Sequence, residues 1–181
     1  MKKYLKFLPH FYLVFGLVAC ASSDNHDIQR HQAAKARVDL ALGYLAENNY
    51  SQAKLNLDKA LEHAPQYYLV HSAFAYYYQK QGHIPQAEDS YQTAIKLDPK
   101  QGDTYNNYGA LLCTEKRFTE AYTQFDLALK TTNYYRQADT YENKVLCALS
   151  ENNQSIFQES LAQLQKLDKL RAEKLSLYKS E

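Results

Sequence analysis

Cysteines carry most of the chemistry that this chain offers. Cys20 closes an apolar stretch, Phe11 to Ala19, that follows the positive cluster Lys2, Lys3 and Lys6. A basic head, a short apolar run and a small-residue end make a secretory signal, too short to cross a bilayer comfortably as a stable helix. Beyond such a membrane disulfides are permitted, and Cys113 and Cys147 then have two alternatives. They bridge if their Cα atoms lie within about 7 Å, or they pack as free buried thiols. His26 and His31 are five apart, and His63, His71 and His83 are scattered, so no pair has the spacing of a metal site on one helix. A glycine-rich phosphate loop and a nucleophile elbow are both absent from the sequence. These residues point to a binding protein without metal or cofactor, not to an enzyme.

The elements that would position them repeat. Ala53, Leu57, Ala60 and Pro65 are followed 34 residues on by Ala87, Tyr91, Ala94 and Pro99, and after another 34 by Ala121, Phe125 and Ala128. Leu40, Ala41 and Tyr44 likewise map to Phe74, Ala75 and Tyr78, then to Tyr108, Gly109 and Leu112. Helices about 8–10 Å apart need small residues where they touch and large ones beside them, which is what this alternation supplies. The register resembles the tetratricopeptide repeat, a pair of helices A and B that stacks into a superhelix. The expected fold is therefore all-α, with three regular repeats over about 34–67, 68–101 and 102–135. A degenerate fourth follows at about 138–171, where Asp139-Thr140-Tyr141-Glu142-Asn143 echoes Asp103 to Asn107 at an offset of 36, so two residues are inserted around Asn133 to Gln137. Its expected helix-B small positions hold Phe157 and Leu164.

Boundaries follow from turn and cap signals. Helix A1 is expected over 28–47, with Asn48-Asn49 as the turn and Ser51 as N-cap of the next helix. Later helices are expected over 67–81, 84–97, 103–115, 118–130, 137–150 and 154–167, with Gly82 as a turn and Pro85 in a first helical turn. Over 168–178 an amphipathic segment carrying Leu170, Leu175 and Leu177 would cap the last apolar face. The chain thus divides into a signal segment, 1–19, a polar tether, 20–27, and the repeat domain, 28–181.

Composition agrees: of 181 residues 45% are hydrophobic and 23% charged, with 17 Tyr, no Trp and five Gly, so aromatics fill the large packing positions. Formal charge is +1, and no basic stripe exists to hold a phosphate backbone, which argues against nucleic acid. Loss of residues 1–19 removes three lysines and no acid, turning +1 into −2.

In such superhelices the A helices line the concave groove. The expected groove set is Val38, Leu42, Leu45, Leu69, Tyr76, Asn106, Asn107, Ala110, Glu142 and Asn143. Early repeats would offer an apolar surface, and later ones side-chain amides able to hydrogen-bond an extended peptide backbone. Asn107 and Asn143 equally suit a common structural helix position. Val38 and Ser72 stand where a carboxylate clamp would need Lys, so a peptide carboxyl terminus is not the expected ligand.

Two more specific resemblances exist. Leu17-Val18-Ala19-Cys20 resembles the lipobox of bacterial lipoproteins, which implies lipidation of Cys20, and Ala21 rather than Asp implies the periplasmic face of the outer membrane. Two or more acyl chains would make that attachment durable. Asn106-Asn107-Tyr108-Gly109, Leu111-Leu112-Cys113, Arg117-Phe118 and Glu120-Ala121 are similar to the third repeat of the type IV pilus biogenesis and stability lipoproteins, the pilotins. Tyr135-Arg136 through Tyr141-Glu142-Asn143 to Leu146-Cys147 resembles the next repeat of that family. The resemblance implies a lipoprotein scaffold whose partners are secretin subunits, brought to the outer membrane and multimerised. Members of that family carry more repeats, so the chain is expected to be a shortened relative. The alternatives are an adaptor for outer-membrane barrel assembly or for peptidoglycan enzymes.

Overall fold

A computed structural model describes the backbone of residues 19–179 and the side chains of 26–178. The expected signal segment, save the backbone of Ala19, and the side chain of Cys20 lie outside that range. Nine α-helices occupy the described residues: α1 (Ala19–Ala46), α2 (Tyr50–His63), α3 (Tyr68–Lys80), α4 (Ile84–Leu97), α5 (Gly102–Thr114), α6 (Phe118–Lys130), α7 (Gln137–Glu151), α8 (Gln154–Leu167) and α9 (Lys169–Ser176), with a 3-10 turn over Leu177–Lys179. None of them is long and apolar enough to cross a membrane. They pair as antiparallel hairpins, α1 with α2, α3 with α4, α5 with α6 and α7 with α8, and α9 packs on α8. This is an α-α solenoid.

The small and large positions do what their spacing requires. Ala53, Leu57 and Ala60, then Ala87, Tyr91 and Ala94, then Ala121, Phe125 and Ala128 are all buried. Phe74 and Tyr108 are buried because each lies against helix B of the preceding repeat; the Tyr108 ring stacks on Tyr91 at 5.5 Å. Leu40 holds the same register with no preceding repeat among the described residues, and it is half exposed. In the fourth repeat Phe157 and Leu164 are buried where Ala stood before.

Each hairpin turns through one left-handed residue: Asn48 (φ 57°), Gly82 (φ 74°), Lys116 (φ 61°) and Asn152 (φ 61°). Asn tolerates that region and Gly enters it freely, whereas Lys is strained there. Lys116→Gly is therefore expected to raise unfolding stability by about 0.5–1 kcal/mol in urea denaturation. A lowered midpoint would show that the Lys116 side chain holds the turn by contacts that outweigh the strain.

The expected insertion lies between α6 and α7, whose connection, 131–136, is two residues longer than 98–101 between α4 and α5. Asn133 falls where Pro65 and Pro99 stand in the earlier repeats, and its φ of 61° is one that proline cannot adopt. The ring of Tyr134 then folds inward against Gly102, where an added Cβ would sit 2.5 Å from it, and its hydroxyl meets Thr140 Oγ1 at 2.8 Å.

Two helix starts and the terminal cap differ from expectation by more than the residue or so seen elsewhere. Helix α1 starts at Ala19 and not near Ile28, so residues 20–27 run on in the helix rather than as an irregular tether. The N-cap of α2 is Asn49, accepting from the Gln52 amide at 3.2 Å, and Ser51 is already helical. At the far end Ala172 and Leu175 are buried and Arg171 reaches back to α7, but Leu170 and Leu177 remain exposed, so only part of the expected apolar stripe caps the array.

Candidate functional site

Helices α1, α3 and α5 present one side of each repeat to a common groove of about 430 Å³. Val38 and Leu42 come from α1, Leu69, Ser72, Tyr76 and Gln79 from α3, and Thr104, Asn107 and Ala110 from α5. Tyr91 reaches it from α4, and Tyr68 and Ala73 complete the apolar wall. Burial pushes the Tyr68 phenol up to about 12 and raises that of Tyr91 as well, so both rings stay neutral. Tyr91 Oη donates to Gln79 Oε1 at 3.4 Å. Thr104 Oγ1 is buried without a hydrogen-bond partner among the described residues.

Two charged side chains line this groove, Asp103 and Arg136, and they are paired. Arg136 Nη1 donates to Asp103 Oδ1 at 3.0 Å, and its Nε to Asp139 Oδ2 at 2.6 Å. Arg171 of α9 continues the chain, with Nη1 at 2.5 Å from Asp139 and 3.1 Å from Glu142. Partial burial opposes ionisation of Asp139, but its hydrogen bonds from Arg171 and Arg136 win and hold its carboxyl below the usual range. The groove is therefore bounded at one end by charges already satisfied, and its lining is uncharged overall.

The expected groove residues separate into three groups. Leu42, Leu69, Tyr76, Asn107 and Ala110 line the groove, and Val38 does so from a fully buried position at its base. Leu45 does not; it is sealed in the core between α1 and its neighbours, because the face it occupies turns toward helix B. Asn106, Glu142 and Asn143 are engaged inside the array. Asn143 Nδ2 donates to Asn106 Oδ1 at 3.0 Å, joining α7 to buried Asn106 of α5, and Glu142 accepts from Arg171. Tyr68, Ser72, Ala73, Gln79, Tyr91, Asp103, Thr104 and Arg136 were not among the expected residues. For Ser72, Ala73 and Asp103 the signal was present, since each lies 34 residues from a groove residue named above, Val38, Asn107 and Leu69 respectively.

Family-like motifs sit mainly at repeat junctions. Tyr108 Oη donates to Glu88 Oε2 at 3.0 Å, and Arg117 Nη1 to Glu88 Oε1 at 2.6 Å while its Nε and Nη2 grip Glu120, fastening repeat three to repeat two. Cys113 and Cys147 form a disulfide between α5 and α7, with Cα atoms 5.8 Å apart. The disulfide thus ties α5, one of the helices that line the groove, to α7 of the next repeat.

Comparison with known proteins places this architecture. Residues 44–103 match the tetratricopeptide repeat model. An uncharacterized protein of Haemophilus influenzae is 50% identical over 179 residues, 99% of this chain and all of that protein. Type IV pilus assembly protein PilF of Pseudomonas aeruginosa is 35% identical over 144 residues, 77% of this chain but only 57% of PilF. Its solved structure superposes with a TM-score of 0.73 at 32% identity, covering 83% of this chain and 70% of that one. The crystal structure of PilW, a widely conserved type IV pilus biogenesis factor, gives a TM-score of 0.68 at 25% identity and covers 75% of this chain and 62% of its own. With its repeats and its overall helical fold matched in this way, the chain is a tetratricopeptide-repeat protein that belongs to the family of the type IV pilus biogenesis factors PilF and PilW.

Proposed function

We propose that this protein is an outer-membrane lipoprotein scaffold of type IV pilus biogenesis, anchored through Cys20 on the periplasmic face. It binds secretin subunits in the groove of repeats one to three and promotes their outer-membrane localisation and multimerisation. The observation that carries the reading is the net-neutral, largely apolar groove itself, with Leu42 and Tyr76 half exposed in a protein of the PilF and PilW family. Half-exposed large apolar side chains in a concave surface suit a peptide segment that lays its own apolar residues against them.

Substituting Leu42 and Tyr76 by Glu is expected to abolish co-purification with the pilus secretin. Both side chains already face solvent in part, so the double variant should keep its helical circular dichroism and melting temperature. Deletion of the gene is expected to deplete secretin multimers and surface pili. Unchanged co-purification by the Glu variant would rule the groove out; normal multimers and pili in the deletion strain would rule out the pilus role.

A further inference from the structure

Leu42, Tyr76 and Ala110 occupy one register, each 34 residues from the next, and all three line the groove. Two repeats fill that place with a large side chain, and the third leaves it to a methyl group. The helices around Ala110 are also set apart. Helix α1 packs on α3, α5 on α7 and α7 on α9, but α3 and α5 make no comparable contact, although they belong to adjacent repeats. The stacking of Tyr91 on Tyr108 joins these two repeats at the helix-B side instead, which leaves Tyr91 at the floor of the opening.

We propose that the gap between α3 and α5, left open by Ala110, is the anchor subsite of the groove, and that it takes one large uncharged apolar side chain from an extended segment of a partner protein. This deepens the groove reading above and rests on it. Charge decides the chemistry of the occupant. Asp103 and Arg136 neutralise each other at 3.0 Å, so a charged residue in the gap would lose its hydration and find no free partner. Size agrees: roughly 150 Å³ holds one benzene-sized group, so the whole groove across α1, α3 and α5, about 430 Å³, has room for an anchor side chain with its flanking backbone but not for a folded surface. Asn107, one helix position before the gap's neighbour Tyr108 and open to solvent, supplies an amide donor for that backbone, its Oδ1 accepting from Asn106 at 3.5 Å.

The test is Ala110→Tyr. It installs the residue that repeat two already carries at this register, so the array should accept it without loss of melting temperature, while the ring closes the gap. The probe is a set of short overlapping fluorescein-labelled peptides from the periplasmic region of the pilus secretin, read by anisotropy. Wild-type protein is expected to bind a peptide with an uncharged apolar residue, and Ala110→Tyr to weaken it by about tenfold or more, as does replacing that peptide residue by Asp. If Ala110→Tyr binds as wild type while Leu42→Glu does not, the groove stands and the anchor subsite is wrong. Binding retained by both variants overturns both readings. Capture of intact secretin with no peptide bound also overturns the anchor, since an extended segment would then not suffice.

Discussion

Removing the Cys113–Cys147 bridge is expected to lower the unfolding free energy by about 3–4 kcal/mol. The bridge closes a loop with a sequence separation of 34, for which the chain-entropy model gives close to the upper end of that range. Cys147 is buried, so the substitution should be Cys113→Ala with Cys147→Ala, which leaves no buried hydroxyl behind. In a repeat array stability is nearly a sum of units and neighbour contacts. The loss should therefore fall on α7 to α9, which would melt in an earlier, separate transition in urea. Wild-type protein with and without reductant provides the same comparison without mutation. Coincident curves for oxidised, reduced and double-Ala protein would show that the packing of α5 on α7 carries the junction unaided.

Phe125→Ala is expected to cost about 3–5 kcal/mol, because it empties a fully buried aromatic site in the middle of α6. Its partner across the hairpin makes the prediction sharper. A Cβ on Gly109 would lie 2.7 Å from the Phe125 ring and 3.1 Å from the Ala121 carbonyl oxygen. Ala in place of Gly favours a helix by about 1 kcal/mol, yet overpacking costs about 1–3 kcal/mol, so Gly109→Ala alone should destabilise. With Phe125 already reduced to Ala the ring is gone, and the same Gly109→Ala change should become stabilising. Denaturation of the four proteins of this cycle reads the reversal directly. A Gly109→Ala effect of the same sign in both backgrounds would mean that the glycine is kept for its backbone and not for the ring.

The hairpins were legible because their requirements are local and periodic. Ala41, Ala75 and Gly109 had to be small where Leu57, Tyr91 and Phe125 are large, and a 34-residue rhythm exposes that requirement in one dimension. The 36-residue step was equally visible, and Asn133 in place of a repeat-ending proline shows its cause. The site was less legible. Leu45 and Leu42 are three residues apart on one helix, and only the placement of α2 decides that the first is core and the second is groove. Asn106 and Asn107 differ by one position, yet one is consumed by Asn143 and the other faces the open groove, a division set by how α7 docks. Arg136 comes from the irregular loop, where no register reaches. Separation of α3 from α5 belongs to superhelix geometry, which no single repeat encodes.

Covalent linkage of α5 to α7 also changes how the array transmits load. A pull applied beyond Cys147 crosses the sulfur atoms into α5 and bypasses everything between, so α6 and the loop bearing Tyr134 carry no tension. At roughly 3.3–3.6 Å per extended residue, a separation of 34 removes about 110–120 Å of contour that the chain would otherwise pay out when stretched. Oxidised, the middle of this solenoid is inextensible; reduced, it becomes a tether.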